Sequence, residues 1–216
     1  MRIALIGTGN VGRALAKAWA AAGHDVVLGS RTPGTKEDLA KELGVPVIGI
    51  VEAAEHGEAV VNVTPGAESI ATLRTAGAGA LTDKLLIDIA VGFTEEPPPH
   101  GMALSHLTFS LGEEIQSTFP EARVVKTLST MDSVVMTSPD SLEGPSTVFL
   151  SGNDPAAKTQ TATLLTDLGW PSSSHLDLGP IETARGQEHF AHLFMGIAAS
   201  QGTYGFNVRV VLPKAE

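Results

Sequence analysis

Apolar runs and glycine or proline breaks alternate along the chain with the spacing of repeated β-α units. Short apolar runs predict buried strands, and apolar residues recurring every three to four positions predict helices. The first unit has an apolar run at residues 3–6, an Ala-rich helical segment, and a second apolar run at residues 26–28. We therefore predict an α/β fold with a Rossmann-like doubly wound parallel sheet.

The remaining chain continues this alternation. Further strands are predicted at residues 45–48, 59–63, 85–90, 123–128, 147–152, 175–178 and 207–211. Further helices are predicted from a capping box at residues 35–38 to about Gly44, and at residues 69–76, 112–119, 155–168 and 181 to about 202. Residues 91–107 contain three consecutive prolines and predict a loop, which either binds a ligand or only connects two elements.

Three glycines follow the first predicted strand with G-x-G-x-x-G spacing. Gly7 permits a tight turn, Gly9 lets the backbone approach a pyrophosphate, and Gly12 lets the helix pack close to the strand. The helix N-terminus then directs free N–H groups at the phosphates. The alternative is a tight glycine turn without a ligand. The dinucleotide-binding residues predicted here are Gly7, Thr8, Gly9, Asn10, Val11 and Gly12.

The end of the second predicted strand favours NADP(H) over NAD(H). NAD-binding proteins usually carry Asp or Glu there, for the ribose 2′-hydroxyl. This chain has Gly29-Ser30-Arg31-Thr32, followed by Lys36. A guanidinium and a hydroxyl can bind a 2′-phosphate, which a carboxylate would repel. Ser30, Arg31 and Lys36 are therefore predicted to bind the 2′-phosphate, unless the two cations are ordinary surface residues.

Composition limits the classes of partner. The chain has 216 residues, 43% of them hydrophobic, and a formal net charge of −10, which disfavours nucleic acid and anionic membranes. It has no cysteine, which excludes disulfides, thiolate catalysis and cysteine-ligated zinc. We expect no signal peptide, no membrane span, a cytoplasmic location and a small-molecule substrate.

The motifs, taken in order over nearly the full length, resemble the family of F420-dependent NADP oxidoreductases. They are Gly7-Thr8-Gly9-Asn10-Val11-Gly12, Gly29-Ser30-Arg31, Asn62-Val63-Thr64-Pro65-Gly66, Arg123-Val124-Val125-Lys126-Thr127-Leu128, Gly152-Asn153-Asp154, Asp177-Leu178-Gly179-Pro180 and Phe206-Asn207-Val208-Arg209-Val210-Val211. The resemblance implies an NADP-binding Rossmann domain over residues 1–125. It also implies a smaller C-terminal α/β region over residues 126–216 for substrate binding or dimerisation.

The resemblance further implies hydride transfer between NADP(H) and the deazaflavin F420, the second substrate. Such a step needs two stacked rings and no obligatory protein acid or base. Cofactor contacts are expected at Val63, Thr64, Pro65 and Ala90, and the F420 pocket at Leu128, Ser129, Thr130 and Met131.

Three departures from the family pattern leave the electron acceptor open, one of them the divergent closing helix at residues 187–204. Many relatives have Asn-Pro where this chain has Val91-Gly92, and Asn where it has Ser129. The alternatives are an NADPH-dependent reductase of an imine, a flavin or a small carbonyl compound, or a non-enzymatic NADP(H)-binding regulator.

Lys126 interrupts an apolar strand and has two interpretations. Burial could lower its pKa and make it a catalytic proton donor, or the side chain could reach solvent at the rim of the sheet. On the last helix, Arg185 and Glu188 are spaced to pair with each other.

The last predicted helix also carries two histidines and several apolar residues. His189 and His192 lack the spacing and the third ligand of a metal site, so we predict no metal. A homodimer is predicted from the apolar residues that crowd more than one face of this helix, Phe190, Leu193, Phe194, Met195 and Ile197.

Overall fold

The computed structural model describes residues 1–95 and 102–213. Its strands are β1 (Arg2–Ile6), β2 (Asp25–Ser30), β3 (Val47–Gly49), β4 (Ala59–Asn62), β5 (Leu85–Asp88), β6 (Phe93–Glu95), β7 (Met102–Leu104), β8 (Arg123–Thr127), β9 (Val148–Gly152) and β10 (His175–Asp177). Eight of them form one sheet in the order β10-β9-β8-β5-β4-β1-β2-β3, and β6 pairs with β7.

Helices cover both faces of the sheet, and a separate hydrophobic core lies on each face. The helices are α1 (Asn10–Ala21), α2 (Glu37–Leu43), α3 (Ile50–His56), α4 (Gly66–Ala76), α5 (Ala78–Leu81), α6 (Leu111–Thr118), α7 (Ser133–Thr137), α8 (Pro155–Asp167) and α9 (Ala184–Gln201). The central strands β1, β4 and β5 are mostly apolar and buried because helices cover both faces, with Asn62 and Asp88 as buried polar exceptions at strand ends. None of the helices in the described ranges is long and apolar enough to cross a membrane.

The sheet confirms the predicted Rossmann-like α/β fold. In the sheet order from β3 through β2, β1, β4 and β5 to β8, every neighbouring pair of strands is parallel. The strand order reverses between β1 and β4, and ligands of open α/β sheets bind at such a switch point. β9 runs antiparallel to β8, an exception to the predicted parallel pattern. The predicted domain boundary at residue 125 falls within β8, and the division stays a prediction.

Three sequence predictions of secondary structure are wrong, two of them in strand and loop segments. Residues 207–211 form no strand, although Thr147 donates its backbone N–H to the Val208 carbonyl at 2.8 Å. The hydrogen bonds of residues 207–210 go to Ser146 and Thr147, ahead of β9, and do not continue as a ladder along it. Residues 91–107 are not all loop, because β6 and β7 form an antiparallel pair within them. The three prolines at 97–99 lie outside the described residues.

The start of α2 also differs from its prediction. Thr35 donates its hydroxyl to the Thr32 carbonyl at 2.9 Å, and Lys36 occupies the N-cap position. The predicted capping box is therefore wrong, because Thr35 belongs to a preceding turn of 3₁₀ helix. The helix ends at Gly44 as predicted, with the left-handed φ of 65° that favours glycine.

Candidate active site

A cleft of about 520 Å³ opens where β1, β2 and β4 end. The residues that line it come from the glycine turn, the end of β2 and the end of β4: Ile6, Gly7, Thr8, Gly9, Asn10, Val11, Gly29, Ser30, Arg31, Thr32, Lys36, Ile50, Val63, Thr64, Pro65, Glu68 and Thr72. Most residues predicted to bind the dinucleotide therefore lie in one cleft at the switch point of the sheet.

The three motif glycines have different surroundings. Gly7 has a φ of +129°, and a Cβ added there would lie 2.8 Å from the Val63 carbonyl oxygen. A Cβ at Gly12 would lie 2.5 Å from the Gly7 carbonyl oxygen, so Gly12 lies behind the turn, against backbone. A Cβ at Gly9 would meet no atom of the described residues within 4 Å. The fold requires Gly7 and Gly12, whereas Gly9 keeps the mouth of the cleft open.

The N-terminus of α1 faces the cleft and suits an anion. Within the described part of the chain no side chain caps it, and its first turn contains no acidic residue. The free N–H groups and the positive end of the helix dipole therefore remain available for a phosphate. These features fit the pyrophosphate of a dinucleotide.

The predicted 2′-phosphate site contains an acidic residue that the sequence reasoning missed. The Arg31 Nη1 atom lies 3.0 Å from Glu68 Oε2, with 72% of the Arg31 side chain and 48% of the Glu68 side chain exposed. Glu68 lies in the first turn of α4 and lines the same cleft. It therefore contacts the cation that is predicted to bind the 2′-phosphate. Glu68 is 37 positions from Arg31 in the sequence, so no local pattern indicated that the two residues would be in contact.

A second cavity of about 240 Å³ adjoins the cleft, and both are lined by Val11, Val63, Thr64 and Pro65. Its other walls are mainly apolar: Gly66, Ile89, Ala90, Val91, Phe93, Ser129, Met131 and Met136. The hydroxyl oxygen of Ser129 is buried there and has no hydrogen-bond partner among the described residues. A buried polar atom without a partner calls for an explanation, and a ligand group or a water that reached it would supply the missing hydrogen bond.

The four residues predicted to form the F420 pocket separate in the structure. Ser129 and Met131 line the second cavity. Thr130 lines a different cavity of about 200 Å³, together with Gln187. Leu128 is buried in the core with a φ of 58°, a left-handed value that is uncommon for a residue other than glycine. Their roles in binding stay predictions.

The comparisons with known proteins agree with this geometry. The family described as NADP oxidoreductase, coenzyme F420-dependent, matches residues 2–92. A solved structure from Arthrobacter sp. FB24, provisionally described as an F420-dependent NADP-reductase, is 41% identical. The match covers 98% of this chain and 100% of that one, with a TM-score of 0.93.

This chain belongs to the family of F420-dependent NADP oxidoreductases. It is accordingly an NADP-dependent oxidoreductase.

More distant structures share the fold of this oxidoreductase. A hypothetical protein from Sinorhizobium meliloti is 23% identical, with a TM-score of 0.67 over 85% of this chain and 87% of that one. An imine reductase from Myxococcus stipitatus in complex with NADP⁺ is 19% identical, with a TM-score of 0.68 over 94% of this chain and 63% of that one. No curated protein gives a significant match.

Lys126 of this oxidoreductase is fully buried and does not reach solvent. Its Nζ lies 2.8 Å from Asp88 Oδ2 and 2.7 Å from Glu188 Oε1, and it also donates to the Ala90 carbonyl. Burial lowers the pKa of Lys126, but Asp88 and Glu188 outweigh that effect, so its pKa lies above the ordinary value. This direction is opposite to the one that a proton donor with a lowered pKa requires. Lys126 is also not among the described residues that line either cavity.

Asp88 and Ala90 connect this buried lysine to the second cavity. Ala90, predicted to contact the cofactor, lines the second cavity rather than the larger cleft. Burial raises the pKa of the Asp88 carboxyl, against the opposing effect of the Lys126 ammonium. The sequence showed that Lys126 interrupts an apolar strand, but it did not indicate which residues would pair with this lysine.

The polar residues of α9 have other partners than predicted. Arg185 donates from Nε to Glu113 Oε2 at 2.8 Å and from Nη2 to Glu113 Oε1 at 2.5 Å. The predicted Arg185–Glu188 pair is wrong, because Arg185 lies on the exposed face of α9 and Glu188 on its buried face. His189 Nε2 lies 3.1 Å from the His106 carbonyl oxygen. Within the described ranges no three His, Cys, Asp or Glu residues are grouped for a metal ion.

Proposed function

We propose that this oxidoreductase transfers a hydride between NADP(H) and coenzyme F420. The observation that carries the proposal is the wall shared by the cleft and the second cavity, which consists of Val11, Val63, Thr64 and Pro65. Hydride transfer requires donor and acceptor rings in contact at one place, with water excluded. Two adjoining cavities with a common, mainly apolar lining would bring the two rings side by side.

The residues of the cleft fit NADP(H). The free N-terminus of α1 behind Gly9 would hold the pyrophosphate, and Arg31 with Lys36 would hold the 2′-phosphate. NADPH bound there supplies the hydride. Val63, Thr64 and Pro65 would direct its reactive end toward the second cavity, because they line both spaces.

The second cavity suits the flat ring of an acceptor. Phe93, Met131 and Met136 provide apolar surface, and the Ser129 hydroxyl provides a hydrogen bond. Val91 and Phe93 come from residues 91–107, so part of this segment borders the proposed acceptor site. The protein would bind and orient the two reactants, and no protein group would exchange a proton in the hydride step.

A second candidate function is reduction of a smaller acceptor, such as an imine, a flavin or a small carbonyl compound. The observation that favours it is the cavity volume of about 240 Å³, below the 300–1,000 Å³ that is typical of ligand pockets. A non-enzymatic regulator is disfavoured by the family assignment.

Anaerobic mixing with NADPH and F420, followed by the deazaflavin absorbance, tests the first proposal. We expect bleaching that requires both NADPH and the protein. If the protein binds NADPH but changes F420 in neither direction, the proposal is wrong. Imines, flavins and small carbonyl compounds are then tested in the same assay, by following NADPH oxidation.

We also propose that this oxidoreductase is a homodimer that works in the cytoplasm. Leu193 on α9 is 58% exposed, and Met195, Tyr204 and Val211 add exposed apolar surface nearby in sequence. A helix that exposes apolar side chains buries them when it packs against a second copy. Sedimentation at micromolar concentration should show a dimer, and a monomer there would contradict the proposal. Fractionation of cells tests the location.

A further inference from the structure

The register of the sheet places three polar side chains in one row under the second cavity. Asn62 of β4 is paired with Asp88 of β5, and Asp88 with Lys126 of β8. All three residues are fully buried. In parallel strands, paired residues project from the same face, so the three side chains meet in one layer below the ends of the strands.

These side chains form a continuous hydrogen-bonded chain. Lys126 donates to Asp88 Oδ2 at 2.8 Å, and Asn62 donates from Nδ2 to Asp88 Oδ1 at 2.8 Å. Thr64 donates its hydroxyl to Asn62 Oδ1 at 2.7 Å. Thr64 lines both the cleft and the second cavity, so the chain ends at their shared wall.

The same network binds Ala90 through both of its backbone polar groups. The Ala90 N–H donates to Asp88 Oδ1 at 3.3 Å, and its carbonyl accepts from the Lys126 ammonium. Ala90 lies between Ile89 and Val91, and all three residues line the second cavity. The position of this wall therefore depends on the Asp88–Lys126 pair.

Glu188 anchors the network from the other side. Its Oε1 accepts from Lys126, and it also accepts from the backbone N–H groups of Leu111 at 2.8 Å and Gly112 at 3.1 Å, in the first turn of α6. The adjacent Gln187 donates to the Lys126 carbonyl at 3.3 Å. The lysine is thus held by α9 and, through Glu188, tied to α6. A buried cation held in this way has one defined position.

From these contacts we infer that Lys126 is a positioning residue for the electron acceptor. It holds Ala90 and, through Asp88 and Asn62, Thr64 in the places that the acceptor ring requires. The inference rests on the proposed function, since it assigns the acceptor to the second cavity. It requires that the network affect acceptor binding more than NADPH binding, because the network reaches the larger cleft at Thr64, whereas the proposed phosphate contacts of NADPH lie at Gly9, Arg31 and Lys36.

The test compares three variants with the wild-type protein. Lys126→Met removes the ammonium and keeps the aliphatic chain, but it leaves Asp88 and Glu188 unpaired and could prevent folding. The triple variant Asp88→Asn, Lys126→Met, Glu188→Gln has no buried charge at these positions and keeps their volumes. Lys158→Met removes another ion pair, with Lys158 Nζ 2.8 Å from Asp177 Oδ2, and is the matched control.

The test follows F420 binding by fluorescence and NADPH binding by calorimetry. It also determines KM and kcat for F420. In the triple variant, and in Lys126→Met if it folds, F420 affinity should fall and its KM rise by about tenfold. The NADPH dissociation constant should change less than about twofold, and Lys158→Met should resemble wild type. Amide hydrogen exchange at Ala90 should accelerate in the triple variant, with or without acceptor activity.

The outcomes separate this inference from the proposed function. Wild-type protein that does not react with F420 contradicts the proposed function, while faster exchange at Ala90 in the triple variant still supports the positioning of this wall by Lys126. If the wild-type protein reduces F420 and the triple variant keeps the wild-type KM and Ala90 exchange, the inference is overturned. A lower unfolding midpoint with unchanged F420 binding also overturns it, because the network would then serve stability alone.

Discussion

The two sides of the site are built in different ways. The cleft for NADP(H) is formed largely by two short segments, residues 7–11 and 29–36, with exposed cations and a free helix N-terminus. We infer that the acceptor side depends on Asp88, Lys126 and Glu188, which are buried and come from three separate elements. In this proposal the first side would recognise a charged ligand by local backbone geometry, whereas the second would hold an apolar cavity in place by a buried ionic network. Variants should therefore affect the two ligands separately.

The largest expected effect is on the NADP(H) side, at Gly9. Gly9→Val should weaken NADPH binding by roughly a hundredfold or more, because the side chain would occupy the pyrophosphate position. The unfolding midpoint should stay near that of wild type, because a Cβ at Gly9 meets no described atom within 4 Å and the φ of −75° suits valine.

Gly12→Ala is the matched control for Gly9. Its Cβ would lie 2.5 Å from the Gly7 carbonyl oxygen, so this variant should lower stability as well as binding. Calorimetry and thermal unfolding of the two variants check the contrast. Full NADPH binding by Gly9→Val would refute the assignment of the pyrophosphate to this turn.

The next effect concerns the 2′-phosphate. Arg31→Asp removes a charge-assisted contact and leaves two carboxylates, the introduced one and that of Glu68, at the phosphate position. NADPH affinity should fall at least about tenfold, and NADH affinity should change little. Arg74→Asp on α4 makes the same change of charge outside the cleft and should have little effect. Calorimetric titration that finds equal NADPH binding in Arg31→Asp and wild type would place the 2′-phosphate elsewhere.

On the acceptor side, Ser129 and Thr130 are adjacent in sequence but line different cavities, so substitutions at the two positions should have different effects. Ser129→Ala should raise the KM for F420 by up to about tenfold, because a buried hydroxyl in the second cavity is lost. Thr130→Ala should change it less than about twofold, because Thr130 lines a different cavity. Steady-state kinetics at saturating NADPH measures both. A larger effect at Thr130 would assign the acceptor to that other cavity.

A smaller effect concerns stability and pH where α6 meets α9. Hydrogen bonds from Arg185, and next from Ser110, outweigh desolvation and hold the pKa of Glu113 below its ordinary value of 4.5. A lowered pKa in the folded state stabilises the protein above the ordinary pKa, and this contribution disappears as the pH falls through the folded pKa. At neutral pH, Glu113→Gln should therefore reduce the free energy of unfolding by about 1 kcal/mol or less.

Chemical denaturation at several pH values tests this effect. The gap between wild type and Glu113→Gln should close as the pH falls below 4.5. Glu114→Gln is a neighbouring control, since Glu114 pairs with His106 instead of Arg185. A gap that stays constant with pH would show that the charge of Glu113 is not the cause.

The smallest expected effect tests the role of Glu68 beside Arg31 in the NADP(H) cleft. Glu68→Gln removes the carboxylate that contacts Arg31 at 3.0 Å. NADPH should bind about two- to fivefold more tightly at low ionic strength, because exposed pairs contribute at most about 1 kcal/mol. The gain should shrink with added salt, since exposed charges are screened. Weaker NADPH binding in this variant would show that Glu68 supports the site instead of competing for Arg31.

The same division explains what could be predicted from the sequence. The turn at Gly7 and the arginine at the end of β2 are local features, so their place in one cleft could be predicted from spacing alone. Secondary structure was predicted less well where tertiary pairing decides it. Residues 207–211 have the apolar pattern of a strand, but their hydrogen bonds go to Ser146 and Thr147, ahead of β9, and do not continue as a ladder.

The buried network was beyond such reasoning. Asn62 and Asp88 are 26 positions apart, and Asp88 and Lys126 are 38 positions apart, so only the register of the sheet brings them together. Glu188 was expected to pair with Arg185 one turn away, because local spacing does not show which side of α9 is buried. A lysine in an apolar strand indicates that partners exist but does not identify them.

The most direct test of the central claim follows the hydride itself. NADPH carrying deuterium at the position that donates the hydride is mixed with F420 and the wild-type protein in ordinary water under anaerobic conditions. If the two adjoining cavities bring both reactants into contact, mass spectrometry should find the deuterium in the reduced F420. Two results would contradict direct transfer between the two cavities where Val63, Thr64 and Pro65 line both. One is reduced F420 without the deuterium, and the other is no reduction of F420 by a protein that binds NADPH.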